Sequence, residues 1–489
     1  MIRLFLAVCG VSCAIAQESS PGVRVIPQSP KPAEPGAAAA FKNPPGVARK
    51  IMTRSGPMLE LLDDYVEYQM RANPVWAGTL GDERYNDRLR DDSPGACAGR
   101  LEELNTLRER LRRIDRAGLG EEDALDADLL DYELSLAIDG AALFPEQMPI
   151  NTMDGPHVTW PQIADMIPLR TPKQFADYAS RLEKMPAAMQ DTIAQMRAGM
   201  VAGRTPPRLV MKHAVAACLA QATPEIEADP TASPFYRPFR GRADDAAAAR
   251  ARVAIASGIV PAFRSLAAFL KDEYIPACRE TIGLSRGIDG AAAYAQRLRF
   301  YTTTNLTADE IHEIGLREVA RLRSEMIGLI AETDFPEKGS LSGDALFAAF
   351  LAYLRSEQRF YFTNEEEMLT GYRDICKRLD PELPRLFRTL PRNTYGVRAI
   401  PRFASSTSPA AYYYPGSARS GVPGYFMVNA GRLDQRPRYG MVSLTIHEAV
   451  PGHHFQGSIA DELDAVHTFR TLTSYTAYVE GWALYAEKL

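Results

Sequence analysis

The chain has 489 residues, of which 46% are hydrophobic and 24% charged, and a formal net charge of -5, a composition typical of globular proteins. Without a cationic excess there is no electrostatic footprint for nucleic acid, and polyanions are not expected partners. The length allows about three domains or one large helical body.

The first sixteen residues, M-I-R-L-F-L-A-V-C-G-V-S-C-A-I-A, place one arginine before a short apolar run that ends in Ala14-Ile15-Ala16. This reads as a secretory signal cleaved before Gln17, too short to span a bilayer. The mature chain is therefore expected in the periplasm or outside the cell, with no membrane span. Residues 17–50 are rich in proline and alanine and have little to bury, as in a disordered leader. Cleavage removes Cys9 and Cys13. The remaining Cys97, Cys218, Cys278 and Cys376 have no metal-binding spacing; three disulfide pairings exist, and spacing does not choose among them. Each reads as a small buried apolar residue.

From Pro57 the helical period begins: Met58, Leu61, Leu62, Tyr65 and Met70 recur at steps of three and four. Amphipathic runs follow at about 98–115, 121–138, 173–203, 207–222 and 243–271. The fold class is mainly α, a large helical body over residues 51–489. The acidic run Glu121 to Glu133 lacks calcium-loop spacing and, with Leu125, Leu129 and Leu130 at helical intervals, reads as a solvated helix face. His213 and His312 stand alone in helical patterns and read as structural or surface residues. His157 sits in a Pro/Gly-bounded loop of the kind that lines clefts. Thr307-Ala308-Asp309-Glu310 is a capping box opening a helix to about Glu332, with a stripe of Ile311, Ile314, Val319, Leu322, Met326 and Leu329. Thr363-Asn364-Glu365-Glu366 repeats the start signal.

Between Asn393 and Ala430 short aromatic and β-branched pieces alternate with Pro and Gly, which predicts a small sheet or hairpin. The piece Gly424, Tyr425, Phe426, Met427, Val428 is the candidate strand for binding an extended peptide substrate by strand addition; a hairpin that only packs is the alternative.

Three of the seven histidines, His447, His453 and His454, fall within eight residues of M-V-S-L-T-I-H-E-A-V-P-G-H-H-F-Q, and Glu448 follows the first. Neutral imidazoles ligate zinc, and a carboxylate beside the metal is the usual base for hydrolysis. On a straight helix, at roughly 100° per residue, His453 lies about 240° around from His447, and His454 lies about 10 Å along the axis. Neither can share an ion with His447. Pro451 and Gly452 stand between them, and a helix breaks or bulges at such a pair. A bulge that absorbs two residues makes His453 the second ligand, with His454 as its rival.

The C-terminal segment S-Y-T-A-Y-V-E-G-W-A-L-Y-A-E offers Glu480 as third ligand, in an apolar setting that demands a counter-charge. Glu487, nearly on the same face, is a second candidate or a group behind the ligands. Two histidines, one glutamate and an open position form a catalytic rather than a structural zinc pattern. Tyr475 and Tyr478 are candidate donors to a developing oxyanion, as are Tyr412, Tyr413, Tyr414 and His467.

The H-E-x-x-P-G-H-H-x-Q block, the E-G-W-A-L-Y-A-E block and the upstream run T-T-T-N-L-T-A-D-E-I-H-E-I-G-L-R-E-V-A-R-L-R resemble the bacterial family of domain of unknown function 885. That family is itself similar to the helical gluzincin peptidases of the thimet oligopeptidase and carboxypeptidase Taq groups. The resemblance covers roughly Pro57 to Leu489. It implies a metallopeptidase-like fold with His447, His453 and Glu480 as ligands and Glu448 as base. It also implies about a hundred further residues after the second block, so the chain reads as C-terminally truncated.

The expected function is a secreted or periplasmic zinc peptidase, with iron or manganese suited to the same donors. A metal hydrolase of another amide or an ester is one alternative. The other is a non-catalytic, metal-containing envelope protein that binds peptides.

Overall fold

The computed structural model describes residues 55–151, 154–242, 245–400, 408–416, 423–463 and 466–489. The expected signal and leader lie outside them. Helices α1 (Gly56–Ala72), α2 (Pro94–Arg112) and α3 (Glu121–Ala141) pack together. Met58, Leu61, Leu62 and Tyr65 of α1 are buried, as their spacing predicts, against Leu104, Leu107 and Leu111 of α2 and Leu130 and Leu134 of α3. Each such side chain contributes about 2 kcal/mol by leaving water.

The acidic run on α3 is a solvated face only in part, at Glu121 and Asp128. Asp123 and Asp126 are buried while Leu125 is exposed, because these carboxylates dock other parts of the chain. The Ser55 N–H donates to Asp123 at 2.6 Å. Arg470 holds Asp126 (Nε to Oδ1, 2.5 Å) and Glu122 (3.0 Å), while its neighbour Phe469 enters the core formed by α1, α2 and α3.

Helix α4 (Pro172–Val201) opens on a capping box of Thr171 and Gln174. It packs against α5 (Ala246–Ala277), which carries π turns at Ile255–Ile259 and Leu270–Tyr274. By length and composition α5 could cross a bilayer, yet 56% of its most apolar window is buried inside the body; it contributes Phe263, Leu266 and Leu270 to the largest core. The four cysteines are free, three of them buried, as expected of small apolar residues. His157 is buried, and burial holds its pKa below the usual histidine value.

Helices α6 (Gly290–Thr302), α7 (Ala308–Ile330), α8 (Gly343–Ser356) and α9 (Glu365–Leu379) follow. The Thr307 capping box forms as predicted. At α9 the cap is Asn364 rather than Thr363, its side chain accepting from the Glu367 N–H at 2.7 Å. The stripe on α7 is mostly not buried: Met326 and Ile330 are covered, whereas Ile314 and Val319 are exposed. Among the described residues only the C-terminal end of α7 is packed into a core, with Phe335 and with Leu346 and Phe350 of α8.

The expected small sheet has three strands, β1 (Tyr395–Ala399), β2 (Ala411–Tyr414) and β3 (Gly424–Val428), in the order β1-β3-β2. β3 runs parallel to β1 and antiparallel to β2. Its alternating residues Gly424, Phe426 and Val428 are buried, with Phe426 edge-on to Tyr372 of α9 at 5.1 Å. This corrects the expected peptide strand: Gly424, Tyr425, Phe426, Met427 and Val428 form the centre of the sheet. Their backbone groups already pair on both sides, leaving no edge for strand addition.

Candidate metal centre

The histidine-rich stretch forms two helices, α10 (Met441–Glu448) and α11 (His453–Asp461). The break falls where proline and glycine stand. The last helical bond of α10 runs from the Ala449 N–H to Thr445 O, and the Val450-Pro451 peptide is cis. At Gly452 the chain turns back so tightly that a Cβ there would collide with the carbonyl oxygens of Ile446 and His447; a residue without a side chain is the one that fits. The turn is closed by the Phe455 N–H donating to Ala449 O (3.3 Å) and by Trp482 Nε1 donating to Pro451 O (2.7 Å). Trp482 belongs to α13 (Thr476–Ala486), which follows the short α12 (Thr468–Leu472) anchored by Arg470.

The turn brings His453 to His447. Their rings stand nearly perpendicular, with centroids 4.7 Å apart. Glu480 Oε2 on α13 lies 3.4 Å from His447 Nε2 and 3.7 Å from His453 Nε2. One ligand atom from each residue falls within 4.8 Å of the others. Three donors about 2.0–2.1 Å from one tetrahedral ion would be separated by roughly 3.3 Å, so the two contacts to Glu480 need close by only a few tenths of an ångström. The imidazoles are half-buried and Glu480 is exposed, so the cluster is approachable from the Glu480 side.

Behind the ligands, His447 Nδ1 lies 2.9 Å from Glu487 Oε1, and the Ser443 hydroxyl donates to the other Glu487 oxygen. This bond assigns the proton to Nδ1 and leaves the Nε2 lone pair toward Glu480, the arrangement that orients a metal-bound histidine. Burial pulls the His447 pKa down, but the Glu487 bond and the charges of Glu448 and Glu480 outweigh it, so it sits above the usual value. At His453 burial and the His447 charge win, and its pKa falls. Glu487→Gln keeps the shape but weakens the acceptor; zinc affinity is expected to drop about 10- to 100-fold, read by competition against a chromophoric chelator.

Glu448 closes α10 and is buried. Burial pushes its pKa up to about 7, and Glu480 and Glu487 add to this, opposed by the His447 charge and by a hydrogen bond from the Tyr413 N–H on β2. The amide of Tyr413 is a contact that the sequence did not reveal. Ser443 was legible in principle, since it lies four residues before His447 on the same helix face.

Other candidates lie elsewhere. His454 points away from His447 into the packing between α11 and the sheet. Its Nδ1 lies 3.1 Å from the Tyr413 hydroxyl and 3.3 Å from Ser458 Oγ, its ring lies on Tyr395 at 4.6 Å, and burial lowers its pKa to about 4. Adjacent helical residues diverge by about 100°, so once His453 faces the cluster His454 cannot. His454→Phe is expected to leave zinc stoichiometry unchanged and His453→Ala to abolish it, measured by elemental analysis after dialysis. Tyr475 turns toward Tyr132 and Glu133 of α3, and Tyr478 is solvent-exposed; neither phenol joins the cluster. His467 caps α12, its Nδ1 accepting from the Phe469 N–H, and Nε2 meets Asp63 of α1.

A family model described as a bacterial protein of unknown function (DUF885) matches residues 74–489. Among solved structures, a candidate lipoprotein from Colwellia psychrerythraea matches with a TM-score of 0.74 at 21% identity, covering 88% of this chain and 77% of that one. A candidate lipoprotein of unknown function from Shewanella oneidensis matches with a TM-score of 0.65 at 16% identity, with the same coverage. At such identities the likeness establishes a shared fold. A comparison with curated proteins yields no match.

Proposed function

The chain belongs to the bacterial DUF885 family, and on that premise we propose that it is a zinc-dependent hydrolase of peptide bonds working in the periplasm or outside the cell. The observation that carries this reading is the convergence of His447, His453 and Glu480 beside a buried Glu448. When bound, a zinc ion would polarise the scissile carbonyl and make a water acidic at neutral pH; iron or manganese would suit the same donors. His447 and His453 would hold the ion through Nε2 and Glu480 through its carboxylate, with Glu487 steadying His447. Glu448 takes the proton of the attacking water and returns it to the leaving amine, its carboxylate oriented by the Tyr413 amide. Among the described residues β1 and β2 are the outer strands with β3 between them, so an extended peptide adds to an outer strand and not to Gly424–Val428. The signal-like residues 1–16 and the lipoprotein descriptions of the two structural relatives support an envelope location.

The test is zinc titration of the chelator-stripped full chain, followed by digestion of a mixed peptide library with and without the metal. One tightly bound zinc and zinc-dependent cleavage are expected. Failure to bind zinc at micromolar concentration would overturn the metal centre. Zinc binding without turnover of any peptide, amide or ester would support a peptide-binding role instead.

A further inference from the structure

Between α1, α3 and the segment from Phe469 to Ser474 lies a cavity of about 420 Å³, a volume ordinary for small-ligand sites. Tyr65, Trp76 and Phe469 make its walls aromatic, and Gln69, Asn73 and Glu133 supply its amide and carboxyl groups. Two of these are engaged with neighbours. Gln69 Nε2 donates to the Tyr65 hydroxyl at 2.7 Å, and Asn73 Nδ2 donates to Gln69 Oε1 at 3.1 Å. Arg90, which donates to Asn73 Oδ1 at 2.9 Å, is paired with Asp92.

Glu133 is different. The Tyr475 phenol stands beside its carboxyl, but among the described residues no arginine, lysine or histidine pairs with it. Burial raises its pKa, with the phenol only partly offsetting the effect. A carboxylate withdrawn from water without a counter-charge costs free energy. An organic cation recovers that cost twice, by pairing with the carboxylate and by lying against aromatic faces.

The cavity and the candidate metal centre are joined by one short stretch of chain: Ser474 lines the cavity. Tyr475 immediately precedes α13, and Glu480 lies five residues further on, roughly 7.5 Å along the axis.

We propose that the cavity at Glu133 is a recognition subsite for a cationic group, ammonium or guanidinium, of the substrate. As a subsite of a hydrolase it rests on the reading above; as a cation site it stands by itself.

Calorimetric titration with three matched probes tests it. Nα-acetyl-lysinamide carries only a side-chain ammonium, norleucinamide only an α-ammonium, and Nα-acetyl-norleucinamide neither. One of the cationic probes is expected to bind at least about tenfold more tightly than the neutral one, and which one does so tells a side-chain subsite from one for the peptide amino terminus. Glu133→Gln should erase the preference. Ser474→Lys, on the exposed rim, should also erase it by tethering an ammonium at the mouth, and it leaves the buried wall intact should Glu133→Gln fold poorly. Equal binding of all three probes, no binding of any, or a preference that survives in a folded Glu133→Gln protein would overturn the proposal. The titration reads no turnover, so the two readings separate. A Glu133-dependent preference in a protein that binds no zinc would leave the cation site standing without the hydrolase; zinc-dependent cleavage without any preference would do the reverse.

Discussion

Glu448→Gln is expected to keep a full complement of zinc and to lose peptide hydrolysis by about 10²- to 10⁴-fold. Glu448 is not one of the three converging ligand groups, so the exchange of one oxygen for an amide leaves His447, His453 and Glu480 in place. The amide cannot accept the water's proton. It also removes a buried carboxyl whose pKa is held up near 7 by desolvation, so the variant should fold at least as well as the parent. Elemental analysis, thermal unfolding and cleavage kinetics on one preparation check all three points. Loss of zinc together with activity would make Glu448 a ligand, and unchanged activity would remove it from the mechanism.

Gly452→Ala is expected to be the most damaging glycine-to-alanine change among the described residues, destabilising by about 3 kcal/mol or more and abolishing tight zinc binding. The added Cβ would meet two backbone carbonyls, which cannot rotate aside as a side chain can, so the whole turn between α10 and α11 must open. Opening it separates His453 from His447. Gly457→Ala, five residues later within α11, is the control. There the new methyl would meet only the Tyr413 ring at 3.9 Å, and alanine is the better helix former by about 1 kcal/mol. Thermal unfolding should therefore shift in opposite directions for the two substitutions, and zinc titration should show a loss for Gly452→Ala alone. A Gly452→Ala protein with parental stability and zinc affinity would mean that the turn does not position the ligands.

Much of the body could be read from local pattern. The α1 stripe was buried as its spacing predicted because that helix meets α2 and α3 along its length. The same reasoning overreached on α7: periodicity records an apolar face, but burial needs a partner, and among the described residues only the end of α7 is packed into a core. On α3 it failed in the other direction. Acidic residues suggested solvent, yet Asp126 is fully buried because Arg470, 344 residues away, reaches it.

For the candidate centre, local chemistry was enough to name the residues. The histidines, the glutamate after the first of them and the Pro-Gly pair between them already require a broken helix, since an intact one cannot bring His447 and His453 together. Strand order was not legible, because adjacent short strands can pair in several orders and only the finished sheet shows β3 inside and β2 at the edge. The choice of His453 over His454, the seating of Glu487 behind His447 and the isolation of Glu133 from any cation among the described residues also depended on which helices meet. Those were decided by the tertiary structure, because each depends on groups that the chain separates by tens to hundreds of residues and packing alone brings within hydrogen-bonding reach.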